Sequence, residues 1–388
     1  MTVGGTPTAG RSVTTTLSDG YTFADGTTAN TQVSDGSGRV NLPSINVPSQ
    51  GGSGVLSAST ASATSASAST SAAPSSSKLV GASWGNTAFP ALPAGITATD
   101  VTIGAQDPTL YAYFLGSDGY LYQSVNKGAW AKVSPAGVTH ISTAFDGGVL
   151  YSTGTTVGAS WGNTAFPALP AGVTATDVTI GAQGPTLYAY FLGSDGYLYQ
   201  SVNKGAWAKV SPAGVTHIST AFDGGVLYST GTTVGASWGN TAFPALPAGI
   251  TATDVTIGAQ GPTLYAYFLG SDGYLYQSVN KGAWTKASPA GVTHISTAFE
   301  GGVLYSTGST VGASWGNTAL PALPAGVTAT DVTIGAQDPT LYCYFLGSDG
   351  YLYQSINKGP WAKVSPAGVT HISTAFSGGV LFALASAC

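Results

Sequence analysis

Four histidines, His140, His217, His294 and His371, recur every 77 residues, and each follows a threonine. Four aspartates, Asp100, Asp177, Asp254 and Asp331, keep the same spacing and the same preceding threonine. Imidazole and carboxylate are the side chains that carry protons and ligate metals near neutral pH. Their alternation along the chain predicts a ring of alternating Asp and His wherever the repeats close on a common axis. The simplest role for such a ring is hydrogen bonding between neighbouring repeats. A wide axis holds a metal poorly, so neither metal nor cofactor is expected.

A second constellation pairs indole with amide. Trp130, Trp207, Trp284 and Trp361 are each preceded by a turn asparagine: Asn126, Asn203, Asn280 and Asn357. The other four tryptophans, Trp84, Trp161, Trp238 and Trp315, are followed two residues later by Asn86, Asn163, Asn240 and Asn317. A large flat ring next to an amide is what recognition of a neutral sugar requires: a face for C–H groups and a partner for hydroxyls. The competing role for each residue type is structural. Tryptophan fills the gaps between sheets, and asparagine tolerates turn geometry. All sixteen residues are taken as candidate ligand contacts.

Catalytic machinery is not visible. Glycoside hydrolysis uses two carboxylates in distinct roles, but Asp118, Asp195, Asp272 and Asp349 precede turn glycines, where aspartate is favoured for backbone reasons. No G-x-S-x-G elbow, phosphate loop or metal-spaced cysteine cluster occurs. The chain therefore reads as a binding protein rather than an enzyme. Charged residues make up 7% of the 388 residues, the net charge is −5, and the only arginines are Arg11 and Arg39. Without a basic stripe to neutralise phosphates, nucleic acid is excluded as a partner. No apolar run is long enough for a transmembrane helix, and the N-terminus lacks a signal-peptide pattern. Glycans or glycoconjugates, with self-association as a further possibility, are the expected partners. The expected location is extracellular or at the cell surface, with the cytoplasm as the alternative. Two cysteines, Cys343 and Cys388, are either a pair that pins the C-terminus or two free thiols.

The elements that position these residues come from the repeat. The segment VGASWGNTA begins at Val80, Val157, Val234 and Val311. Each 77-residue unit holds a long half, such as Pro93 to Trp130, and a short half, such as Pro135 to Trp161. Both halves open with Pro-Ala-Gly and end in tryptophan. Thr99 to Gly104 and Tyr120 to Val125 alternate polar and apolar, Leu110 to Leu115 is an apolar run, and Ala129 to Val133 follows. These predict four strands joined by glycine turns, Ser117-Asp118-Gly119 among them. A module of about 40 residues with four short strands has the size of a propeller blade. The last short half stops early, and its missing partners lie at the start of the array, from Val80 to Leu92. The expectation is an all-β, eight-bladed β-propeller over residues 80–388, built from four double-blade repeats and closed by N-terminal strands. In the rival arrangement those strands complete a neighbouring chain and build a filament with structural or adhesive function. Residues 1–79 are expected to be an irregular extension. Within them Ser49 to Ser77, almost wholly Gly, Ser, Ala, Thr and Pro, reads as a linker or O-glycosylated stalk.

The module also resembles the tectonin repeat and the fungal and bacterial β-propeller lectins. Trp130-Ala-Lys-Val-Ser-Pro-Ala-Gly, Val138-Thr-His-Ile-Ser and Asp146-Gly-Gly-Val-Leu-Tyr151 match the tectonin-like pattern. Tyr111 to Trp130 is similar to a blade of the fucose-binding lectins. The resemblance covers 80–388 and implies a propeller that binds carbohydrate at several equivalent sites. The repeats lack arginine and carry a single glutamate, Glu300. The Arg/Glu pair of fucose sites is therefore missing, and fucose specificity is not implied.

Overall fold

The computed structural model describes residues 2–3, 6–7, 12–18, 21–35, 39–46, 56–60, 63–68, 80–82, 89–106, 109–143, 147–160, 165–183, 186–220, 224–237, 242–260, 262–297, 301–314, 319–337, 340–374 and 379–385. Among them every regular element is a β-strand. The chain divides into two units, 1–77 and 78–388.

In the second unit each 77-residue repeat forms two antiparallel sheets. The first long sheet runs Ala98–Gln106, Thr109–Gly116, Leu121–Val125 and Ala131–Lys132, with each strand paired to the next. The short sheet that follows contains His140–Thr143, Val149–Ser152 and Val157–Ala159. Alternation is the cause of the long sheet's two-sided core. Phe114 and Tyr122 face one neighbour with Ala112, while Tyr113, Leu115 and Leu121 face the other.

The expected fourth strand of the short halves is not formed among the described residues. Where it was expected, the chain reads Phe89-Pro90-Ala91-Leu92-Pro93. Two prolines remove two ladder donors. The Pro90 carbonyl accepts instead from the Trp130 indole of the next long sheet, so the segment bridges sheets rather than extending one.

The final short sheet takes its outer strand from the front of the array. Val80–Ala82 pairs antiparallel with Val380–Leu384, in the register Leu381 with Ala82 and Ala383 with Val80. Val80, Leu381 and Ala383 are buried in one apolar cluster with Ala98, Val101 and Ile103 of the first long sheet. Internal junctions use the same residue types, as with Leu150, Val157, Ala175, Val178 and Ile180.

The innermost strands of successive sheets are neighbours. Ala98–Gln106 packs beside His140–Thr143, which packs beside Ala175–Gln183, and the pattern continues to Val369–Thr374, which packs beside Ala98–Gln106. Threonine pairs tie these strands. Thr102 and Thr143 share a 2.9 Å hydroxyl hydrogen bond, and Thr143 also donates to the Ile103 carbonyl.

Residues 1–77 differ from the irregular extension expected. Ser12–Leu17 lies between Ala29–Val33 and Leu56–Thr60, and Ala63–Ala68 adds to the latter, giving a four-stranded sheet. Leu56–Thr60 and Ala63–Ala68 fall inside the segment read as a linker. Leu56–Thr60 pairs its main chain with Ser12–Leu17, in which Val13 and Thr15 are buried, and Ala63–Ala68 pairs in turn with Leu56–Thr60. The low apolar content of the segment is thus a poor guide to its backbone pairing.

Candidate functional site

The long-sheet asparagines head a tight hairpin. Asn126 and Lys127 both take positive φ, 49° and 60°, and the Gly128 N–H donates to the Val125 carbonyl at 2.8 Å. Asn126 then substitutes for a strand residue: its N–H donates to the Leu110 carbonyl, and its Oδ1 accepts the Leu110 N–H at 2.8 Å. Asn203, Asn280 and Asn357 repeat both the geometry and the side-chain bond. A short amide that bonds locally is one of the few side chains at ease in the left-handed region. The exposed part of each asparagine available to a ligand is thus the amide NH2, with Oδ1 committed to the fold.

Each long-sheet tryptophan is half-buried. Trp130 meets the edge of Phe114 at 4.8 Å, stacks on Phe89 at 5.3 Å, and donates its indole N–H to the Pro90 carbonyl at 3.0 Å. Trp207 and Trp284 repeat all three contacts. Trp361 keeps the Phe345 edge and the bond to Pro321, where Leu320 takes the place of the phenylalanine. These rings therefore carry packing between the bridging segment and the sheet. Trp84, Asn86, Trp161, Asn163, Trp238, Asn240, Trp315 and Asn317 lie outside the described residues.

Sequence reasoning passed over a third cluster. Asp118 does initiate its turn, with Gly119 at φ 75° and the Tyr120 N–H donating to Oδ1. Its second oxygen accepts the Tyr122 hydroxyl at 2.8 Å and the Lys132 ammonium at 3.0 Å. The same ammonium lies 3.5 Å from the centroid of the half-exposed Tyr120 ring. The quartets of Asp195, Tyr197, Tyr199 and Lys209, of Asp272, Tyr274, Tyr276 and Lys286, and of Asp349, Tyr351, Tyr353 and Lys363 repeat it. Their ion pairs span 3.1, 3.5 and 3.2 Å, and their ammonium-to-ring distances are 3.4, 3.2 and 3.5 Å. The lysine side chains remain 41–47% exposed.

Partial burial pulls the Asp118 carboxyl upward. The hydrogen bonds from Tyr122, Lys132 and the Tyr120 N–H outweigh it and hold the group below the usual carboxylate value. The Asp118 bond in turn raises the Lys132 ammonium. Both stay charged at neutral pH, which suits them to holding a polar ligand. The spacing of lysine fourteen residues after each turn aspartate was the available signal; it becomes meaningful only once the third and fourth strands are known to pair.

The axial aspartates and histidines also come together. Asp100 feels both His371 and His140, Asp177 feels His140 and His217, Asp254 feels His217 and His294, and Asp331 feels His294 and His371. Among the described residues no cluster of three or more His, Cys, Asp or Glu has metal-holding geometry. Cys343 is a free, fully buried thiol, and Cys388 lies outside the described residues.

No family model matches the chain, and no curated protein matches it. Solved structures do. The BP39L lectin from Burkholderia pseudomallei is 15% identical, with 69% of this chain and all 100% of that one covered and a TM-score of 0.45. The Cps50 (Swd1) β-propeller domain of Myceliophteria thermophila is 11% identical over 75% of this chain and 97% of that one, with a TM-score of 0.43. Apo AztD from Citrobacter koseri is 9% identical over 85% of this chain and 95% of that one, with a TM-score of 0.50. Likeness at these identities bears on fold alone. Small antiparallel sheets with strand patterns repeating every 77 residues define an all-β repeat architecture, and the solved structures similar to it include a β-propeller domain.

Proposed function

We propose that residues 78–388 form a closed, eight-bladed propeller that binds glycans at several equivalent positions and catalyses no reaction. Closure is supported by the pairing of Val80–Ala82 with Val380–Leu384 of the same chain, by the apolar cluster across that seam, and by the reach of His371 to Asp100. In the rival arrangement the same pairing would form between neighbouring chains. The tectonin-like pattern of the repeats belongs to this proposal.

The observation that carries the binding function is the fourfold cluster around Tyr120, Tyr197, Tyr274 and Tyr351. Each copy sets a lysine ammonium over a partly exposed tyrosine ring and beside its carboxylate partner, so that a ligand meets the ring's exposed edge, a cationic donor and an anionic acceptor together on a surface otherwise poor in charge. A sugar presents apolar C–H faces and hydroxyls that both donate and accept, and this combination answers both. Asn126 and its three copies add amide donors elsewhere on the long sheets.

Four equivalent sites on one rigid frame do not need individual strength. Millimolar binding, about −4 kcal/mol per site, rises by roughly 10²–10⁴ in avidity when a surface engages several sites together. The ligands for which such avidity matters are dense glycans on cell surfaces or secreted material, and an extracellular or cell-surface location is part of this proposal.

The test is a glycan array probed with the full chain, followed by agglutination of glycan-coated beads. The proposal expects binding to a defined set of neutral glycans. It expects that replacing Lys132, Lys209, Lys286 and Lys363 together with alanine raises the agglutination threshold at least about tenfold, with unchanged circular dichroism. Failure to bind any glycan, or full agglutination by the folded quadruple variant, defeats it.

A further inference from the structure

The ion pair at each candidate site has hydrogen-bonding capacity left over, and the place of that capacity narrows the ligand. A carboxylate offers about four acceptor positions, two on each oxygen. Asp118 Oδ2 fills both of its own, with the Tyr122 hydroxyl at 2.8 Å and the Lys132 ammonium at 3.0 Å. Among the described residues Oδ1 accepts one bond, a long one of 3.3 Å from the Tyr120 N–H. Asp195, Asp272 and Asp349 divide their oxygens the same way, with tyrosine bonds of 2.7, 2.8 and 2.7 Å and backbone bonds of 3.3 Å. Each carboxylate thus keeps an acceptor position on Oδ1.

The lysine has the complementary surplus. An ammonium carries three donors. In Lys132 one goes to Asp118 Oδ2, and the Tyr120 ring face at 3.5 Å draws a second. The third N–H is left for solvent or a ligand.

The carboxylate is not free to turn and take that donor itself. Tyr122 is 3% exposed and its ring stacks on Phe114 at 4.6 Å, so the hydroxyl that holds Oδ2 is fixed to the core. Oδ1 lies back over Gly116, where a Cβ would collide with it, and Gly193, Gly270 and Gly347 give the same room to the other three. An anionic acceptor and a cationic donor are therefore held side by side, 3.0–3.5 Å apart, with the aspartate side chains 22–30% exposed.

We propose that each site reads a vicinal diol: of two hydroxyls on adjacent sugar carbons, one donates to the aspartate Oδ1 and the other accepts from the lysine ammonium. This deepens the glycan reading and rests on it. Gauche hydroxyl oxygens on adjacent carbons lie about 2.8 Å apart, roughly one hydrogen-bond length, which matches the spacing of carboxylate and ammonium. A single hydroxyl satisfies one of the two groups and leaves the other to water. An anionic sugar gains from the ammonium but meets the carboxylate beside it, so the pair selects neutral ligands. In a hexopyranose with free 2-, 3- and 4-hydroxyls, the 3-hydroxyl belongs to both vicinal pairs. The 2- and 4-hydroxyls that remain after its removal are separated by an intervening carbon. Residues substituted at O3 are therefore excluded, and chain-terminal residues are accepted.

The experiment titrates the full chain, by ligand-observed NMR, with methyl α-glucopyranoside, methyl α-mannopyranoside and methyl α-galactopyranoside, each beside its 2-, 3-, 4- and 6-deoxy forms. At least one parent should bind in the millimolar range. Its 6-deoxy form should match it. Its 3-deoxy form should bind at least about tenfold more weakly, because a hydrogen bond to a charged group is lost, and at most one of the 2- and 4-deoxy forms should share that loss. A variant with Asp118, Asp195, Asp272 and Asp349 all replaced by asparagine should lower the ratio of parent to 3-deoxy affinity below about threefold, with unchanged circular dichroism. The ligand series needs only the native chain, so it stands even where the variant does not fold. A 3-deoxy form that binds as well as its parent overturns the diol reading. So does loss of binding in both the 2- and 4-deoxy forms, a folded variant that keeps full discrimination, or a positive glycan array from a chain that binds none of the three parents. Those results leave the glycan proposal standing, whereas a blank array ends both.

Discussion

Replacing Gly81 with alanine tests the seam directly. In every short sheet the middle of the outer strand is a glycine facing an aromatic ring: Gly158 faces Tyr151, Gly235 faces Tyr228, Gly312 faces Tyr305, and Gly81 faces Phe382 across the closing pair. A Cβ at Gly81 would fall within the Phe382 ring. Phe382 is 4% exposed, so moving it out forfeits up to about 1.5–3 kcal/mol of burial, and crowding it in place costs a similar 1–3 kcal/mol. Lower chain entropy of alanine in the unfolded state returns about 0.4–1 kcal/mol. The net expectation is a loss of about 1–2 kcal/mol, a drop of roughly 2–5 °C in melting temperature. Gly158→Ala meets the same clash at Tyr151, but its strand is tethered by the turn in which the Thr153 N–H donates to the Thr156 carbonyl. Both variants should melt lower. Only Gly81→Ala should also gain protease cleavage near Val80 and self-association on size-exclusion chromatography, because only there is the outer strand without a tether to its partner. A Gly81→Ala protein that melts like the native chain, or a Gly158→Ala protein that opens equally, would refute the seam.

Two further expectations concern the sheets themselves. Tyr113→Phe removes a hydroxyl that donates to the Gly147 carbonyl at 2.7 Å and accepts from Gln123 Nε2 at 2.8 Å, so urea unfolding should show a loss of about 1–3 kcal/mol. Burial pushes the Cys343 thiol up to about 12; peptide mapping should find it unalkylated by iodoacetamide at pH 8 in the native protein and modified only after unfolding.

The long sheets were legible because their strands alternate and their turns carry glycine or asparagine, which fixes both period and boundary. That Asp100, His140 and their copies sit on neighbouring first strands was legible for a related reason: equal positions in equal modules take equivalent places in their sheets. The short halves were over-read. Prolines 90 and 93 were visible, but that the Pro90 carbonyl would be claimed by Trp130 of another sheet is a tertiary fact. Asp118 was under-read, because its turn role was sufficient to account for it until strand pairing brought Lys132 alongside. The strands Leu56–Thr60 and Ala63–Ala68, inside the segment read as a linker, escaped notice for the opposite reason. Composition speaks to what side chains can bury, and those strands are held through their main chains.

The closing pair joins residues about three hundred positions apart, while the equivalent strands Val157–Ala159, Val234–Ala236 and Val311–Ala313 lie within a few residues of their partners. During synthesis Val80–Ala82 emerges first and waits longest. Each later short sheet offers it a near-identical docking edge, so the order of events decides the outcome. A local hairpin closes in microseconds, far ahead of a long loop, and the longer loop also costs more entropy. Each internal sheet therefore fills its own vacancy before the early strand arrives, and the edge at Val380–Leu384 is the one left open. If the ring closes as proposed, near-perfect repetition invites misregistration that fast local pairing would prevent, and a slowed turn at Thr153–Thr156 would be expected to show up as wrongly closed rings.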